Sequence, residues 1–198
     1  TIYHEHFSYF SLHSVEQVFK KQGLAIFDVE EVSTHGGSLR IYAQHTDGGR
    51  HPVSSRVADL RSREMAAGFS KLDPYLAFAN QVTKTKRDLL AFLVDAKNNG
   101  KVIVGYGAPA KGNTLLNYCG IRTDFLEYTV DRSPHKQGQV LPGVHIPIQA
   151  PESVRQTKPD YLLILAWNLK DEVMQQMAFV RDWGGKFVVP LPHLTIYP

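Results

Sequence analysis

A single cysteine, Cys119, in 198 residues excludes an internal disulfide framework and any zinc site assembled from thiolates. It fits a reducing, cytoplasmic setting. Long apolar runs are also missing. The densest, at residues 161–167, falls far short of the roughly 20 residues that cross a bilayer, and no charged-then-apolar leader opens the chain, so a soluble protein is expected. Charge of one sign is lacking as well, since a formal net charge of +3 is too small and too scattered to mark a nucleic-acid surface. Internal repeats and low-complexity tracts are absent. The chain opens at Thr1 without an initiator methionine, directly in a stretch dense in histidine, aromatic and acidic groups. The expectation is a piece of a longer protein, with room for one domain and a fragment of another.

What is present is an alternation of helical and strand patterns. Val15, Val18 and Phe19 fall at helical spacing, with Ser14 as the expected N-cap and Gly23 past the end. Residues 24–32 are rich in β-formers, Gly36 and Gly37 allow a turn, and Leu39, Ile41 and Ala43 alternate with polar or amphipathic neighbours, which predicts an antiparallel strand pair. The polar stretch after His45 sets a boundary, giving regions 1–45, 46–100 and 101–198. In the middle region, Asp73 and Pro74 start a long helix ending at the Asn98-Asn99-Gly100 stop. Beyond it, strands are expected at 101–106, 125–130, 161–166 and 186–189. Helices are expected at 113–118 and 169–183. Such alternation predicts an α/β fold with a Rossmann-like, doubly wound parallel sheet.

Gly105, Gly107 and Gly112 lie between a predicted strand and a predicted helix, the context in which glycines let backbone amides approach a phosphate. A nucleotide diphosphate is expected over Gly107, Ala108, Ala110, Lys111, Gly112, Asn113 and Thr114. Lys111 precedes Gly112 and no Gly-Lys-Ser/Thr run occurs, which disfavours an ATPase loop. A tight strand-to-helix turn with no ligand is the bland alternative. Asp131, ending the next strand, stands where a ribose-binding acid lies, and Ser133, His135 and Lys136 follow it on the carboxyl edge of the sheet. Each of these charges on its own reads more readily as a solvated loop face, and only the position beside the glycine loop raises the phosphate-contact reading to equal standing.

Tyr3, His4, Glu5 and His6 form the most chemically loaded segment. A zinc-protease helix needs a second histidine where Ser8 stands, and no third metal ligand is evident, so no metal is expected. A histidine acting as general base beside a carbonyl remains, against a plain structural His–Glu pair.

Four motifs in order, YHEHFSYFS at 3–11, STHGGSLR at 33–40, GYGAPAKGNTLLNYCGI at 105–121 and VDRSPHKQGQVLPGVHIPI at 130–148, resemble the S-adenosylmethionine-dependent sugar C-methyltransferases along essentially the whole chain. The resemblance implies methyl transfer to carbon 3 of a 4-keto deoxysugar carried on a nucleoside diphosphate, through an enolate. It further implies that residues 1–45 are the tail of a methyl-donor domain, that 46–100 are a linker with helices, and that 101–198 bind the nucleotide sugar. The active site of the family lies between its central and C-terminal domains. The N-terminal zinc module and the donor-binding glycine loop have no counterpart here, so this piece is expected neither to bind the donor nor to methylate alone. By the same resemblance His6 is the base, Tyr3 and Glu5 orient it or bind the sugar, and His35 is a weaker candidate. An NAD(P)-dependent oxidoreductase and a non-catalytic nucleotide-sugar-binding module are the rival readings.

Overall fold

A computed structural model describes residues 6–198. It divides into two compact units, 6–81 and 82–198, each with its own core.

The first unit joins helix α1 (Leu12–Lys21) to strands β1 (Leu24–Val32) and β2 (Ser38–His45) and helix α2 (Ser55–Ala66). β1 and β2 pair antiparallel with an irregularity between Ile26 and Asp28. The helix start is one turn earlier than the sequence reading. Ser11 is the N-cap and Ser14 its reciprocal N3 partner, so the serine expected to cap instead completes the capping box. Leu12, Ile26, Val29, Val57 and Leu60 bury together. Among them sits a carboxylate, Glu64, only 7% exposed. Its two oxygens accept from the N–H groups of Leu12 at 2.7 Å and His13 at 2.9 Å, satisfying donors that a helix start leaves orphaned.

Helix α3 (Asp73–Asn98) begins in the first unit and ends in the second, where Leu89, Leu93 and Ala96 enter the core. The second unit adds β3 (Ile103–Tyr106), α4 (Ala110–Cys119), β4 (Thr129–Val130), β5 (Ile148–Gln149), α5 (Ser153–Thr157), β6 (Tyr161–Ile164), α6 (Lys170–Gln176), β7 (Lys186–Val189) and β8 (Thr195–Tyr197). The sheet order is β5-β4-β3-β6-β7-β8. The first five are parallel and β8 is antiparallel.

One apolar core packs α3 and α4 on one face of this sheet, through Leu93, Leu116 and Cys119. A second packs α5 and α6 on the other face, through Val154, Val173 and Met177. The chain winds outward from β3 through β4 to β5, then returns across β3 to β6 and β7. The doubly wound, Rossmann-like α/β fold is therefore present, with its reversal of direction between β3 and β6. The strands β5 and β8 escaped the sequence reading, the strand expected at 125–130 shrinks to Thr129–Val130, and the helix expected at 169–183 is broken into α6 flanked by 3-10 turns at Trp167–Leu169 and Ala178–Trp183. No helix is long and apolar enough to cross a membrane among the described residues.

Candidate functional site

In the first unit, Tyr3 and Glu5 lie outside the described residues. His6 is exposed, its ring 5.9 Å from that of Tyr9. Tyr9 in turn lines an open cavity of about 610 Å³ together with Ser8, Phe10, Ser11 and Val15, with Gly37 from the turn between β1 and β2, and with Ser38 and Leu39 from the start of β2. His35 belongs to the 3-10 turn Thr34–Gly36 that precedes Gly37. Two separate motifs, the segment holding His6 and the turn holding His35, thus border one cavity. The exit of the His6 segment into α1 is fixed by the Ser11–Ser14 capping box and by Glu64.

In the second unit the glycine loop lies at the carboxyl end of β3, beside the reversal point. Its three glycines answer to two physical reasons. Gly107 has φ +94°, which only glycine adopts without strain. A Cβ at Gly105 would come within 2.7 Å of the Thr129 hydroxyl, and one at Gly112 within 2.8 Å of Leu165 Cβ, so both permit close packing. The loop amides are largely committed. Gly107 N–H donates to Val130 O at 2.6 Å, and Ala108 N–H to Asp131 Oδ2 at 2.7 Å.

Helix α4 starts at Ala110, earlier than expected, with Pro109 as an N-cap that offers no side-chain acceptor. Its first helical bond runs from Asn113 N–H to Pro109 O, which leaves the amides of Ala110 and Lys111 ahead of the hydrogen-bonded turn. Lys111 is half-buried. Its ammonium bonds Asn168 Oδ1 and stands 4.8 Å above the Trp167 ring, and burial lowers its pKa. No carboxylate pairs with it among the described residues. Asn113 Oδ1 accepts from Asn117 Nδ2 one turn further along the helix, and the Thr114 hydroxyl donates back to Ala110 O.

Both carboxylate oxygens of Asp131 are engaged. Oδ1 accepts from Ser133 N–H at 2.9 Å, while Oδ2 accepts from Ala108 N–H and from Lys136 Nζ at 3.2 Å. Burial works to raise this carboxyl, but the Ser133 and Ala108 amides and Lys136 outweigh it and leave it below its ordinary value. Lys136 also donates to Ala108 O at 3.0 Å. His135 is exposed, and its carbonyl accepts from Gln139 Nε2. The arrangement joins Ala108, Asp131, Ser133 and Lys136 in one hydrogen-bonded knot at the start of the loop that leads to Lys111.

Sequence reasoning missed Trp167 and Asn168, which follow β6 and face Lys111 across the reversal point. Their position after a buried strand was the only available signal. It also missed Glu64, because a charge on an amphipathic helix reads as solvent-facing. No group of three or more His, Cys, Asp or Glu side chains able to hold a metal occurs among the described residues.

Comparison with known proteins adds two findings. Residues 33–192 match a family described as the C-methyltransferase C-terminal domain. The chain is also 37% identical over 192 residues to the C-methyltransferase NovU of Streptomyces niveus, covering 97% of this chain and 46% of that protein. It therefore spans just under half the length of the curated relative it matches.

Proposed function

Since this chain belongs to the C-methyltransferase C-terminal domain family, we propose that it is the substrate-holding portion of an enzyme that methylates carbon 3 of a nucleoside-diphosphate 4-keto deoxysugar. The observation that carries the reading is Lys111. A half-buried cation without an acidic partner among the described residues stands at the carboxyl-edge reversal point, next to the open amides of a ten-residue helix. A diphosphate supplies the missing negative charge, and the amides of Ala110 and Lys111 add hydrogen bonds. The Asp131–Lys136 knot holds the loop in the shape that receives it.

In the first unit His6, whose ring lies 5.9 Å from that of the cavity-lining Tyr9, takes the proton from the carbon beside the ketone. Tyr3 and Glu5 orient the base or bind the sugar oxygen, and His35 is the alternative base. When bound, S-adenosylmethionine would supply the methyl group from its sulfonium sulfur to the resulting enolate carbon, the S–CH3 bond breaking as the C–C bond forms and the sulfur leaving as a neutral thioether. Its site belongs to the half of the protein that these residues do not include, consistent with the 46% coverage of the relative. The chain works in the cytoplasm, where such donors and nucleotide sugars are made.

Calorimetry on the 198-residue chain tests this. A nucleoside diphosphate is expected to bind, Lys111→Ala to weaken it by about tenfold or more, and S-adenosylmethionine and reduced nicotinamide dinucleotide not to bind. Micromolar binding of the methyl donor overturns the placement of its site. Tight binding of the dinucleotide favours an oxidoreductase instead.

A further inference from the structure

A second cavity, of about 390 Å³, lies at the carboxyl ends of β3, β4 and β5, lined by Tyr106, Arg132, Glu152, Arg155, Gln176 and Phe179 among others. Tyr106 belongs to the core packed by α5 and α6, so this cavity is on the opposite face of the sheet from α4. We propose that it binds the nucleoside half of the nucleotide sugar, with the base stacked on the Arg155 guanidinium. This rests on the reading of the second unit as the nucleotide-sugar domain.

The guanidinium of Arg155 lies 3.6 Å from the centre of the Phe179 ring. The residue is otherwise exposed and lines the cavity, so a second flat partner can reach its guanidinium. Among the described residues no carboxylate pairs with it. Stacking on a guanidinium is available to any nucleobase, because each has a π-face. Edge recognition needs donors and acceptors in the plane of the ring, and the rim provides a carboxylate at Glu152 and an amide at Gln176. Gln176 is already oriented: its Oε1 accepts from the Tyr106 hydroxyl at 2.9 Å and its Nε2 donates to Glu172 at 2.6 Å. Arg132, held loosely by Glu172 at 3.4 Å, adds a cation at the rim.

Continuity with the diphosphate site follows from the chain itself. Asp131 is tied to Ala108, at the start of the glycine loop, and the very next residue, Arg132, lines the cavity. A ligand with its diphosphate at Lys111 therefore crosses the carboxyl edge at Ala108 and Asp131 and delivers its nucleoside to Arg132 and Arg155. Ligands of open α/β sheets lie along this edge.

The test compares a nucleoside diphosphate with inorganic pyrophosphate, titrated into the 198-residue chain and its variants. Arg155→Gln is expected to weaken the nucleoside diphosphate by about tenfold while leaving pyrophosphate unchanged. Lys111→Ala is expected to weaken both. Because Arg155→Gln removes a contact with Phe179, a second measurement uses the unmodified chain. Phenylglyoxal labelling of Arg132 and Arg155, read by peptide mass spectrometry, should be slowed by the nucleoside diphosphate and not by pyrophosphate. Equal labelling with and without nucleotide, or equal loss of both ligands in Arg155→Gln, overturns the proposal. Retained sensitivity to Arg155 with none to Lys111 supports this cavity and displaces the diphosphate from Lys111. Failure of the chain to bind any nucleoside diphosphate overturns both.

Discussion

The carboxylate of Asp131 accepts a 2.7 Å hydrogen bond from the backbone N–H of Ala108, fastening the end of one strand to the loop that leaves its neighbour. With Ser133 N–H and Lys136 on the same carboxylate, removal of its charge disturbs three bonds. Asp131→Asn should lower stability by about 1–3 kcal/mol. The folded pKa is depressed, so the contribution is fully present above the ordinary aspartate value of about 3.9. It is lost as pH falls through the lower folded value. Urea unfolding at a series of acidic pH values should therefore show a shallower acid limb in the variant than in the parent.

Gly112→Ala places a methyl group 2.8 Å from Leu165 Cβ and 3.3 Å from its carbonyl oxygen, forcing α4 away from the strand end. A cost of about 1–3 kcal/mol is expected from such overpacking. Gly120, at the other end of α4, has φ +74° and open space around it. Gly120→Ala should cost about 1–2 kcal/mol through backbone strain alone. Both are measured by denaturant unfolding, and only Gly112→Ala should also reduce nucleoside diphosphate affinity.

Glu64→Ala leaves the N–H groups of Leu12 and His13 without their buried acceptor. Stability should fall by about 2–3 kcal/mol. Amide exchange at Leu12 and His13 should accelerate more than in β1. Glu64→Gln, which keeps one acceptor oxygen, should lose less. Identical exchange in parent and Glu64→Ala rules out the cap.

His6→Ala in the full-length enzyme should cut turnover by about a hundredfold to ten-thousandfold, the usual contribution of a positioned base, with nucleotide-sugar affinity nearly unchanged. Exchange of the carbon 3 hydrogen with deuterated solvent should fall in parallel. Unimpaired exchange moves the base elsewhere, with His35 the next residue to substitute.

The legible parts of the fold were those where local pattern and tertiary role agree. β1 and β2 alternate, β3 and β6 are short apolar runs between punctuation, and the long pattern of α3 stops at Asn98-Asn99-Gly100. What escaped was decided elsewhere in the chain. β5 and β8 are two and three residues long and gain their identity only from partners in β4 and β7. Glu64 is buried because two amides, more than fifty positions away, need it. In the glycine loop the motif gave the location of the turn correctly. It could not reveal that the Gly107 and Ala108 amides bond the protein itself, nor that Asp131 is already held by three donors. The neighbours of Lys111, Trp167 and Asn168, come from a different crossover, and only the sheet order brings them across from it.

The antiparallel β8 has a consequence for how the molecule coexists with its own copies. A bare border of parallel strand is a template onto which another chain can polymerise. Here one border is β8, three residues long and followed by Pro198, which has no N–H to offer. The other is β5, two residues long, with the Val140–Pro147 bridge beside it. Strand-to-strand stacking finds only a few free backbone groups at either side, so the sheet is shielded against fibre-like growth at high concentration.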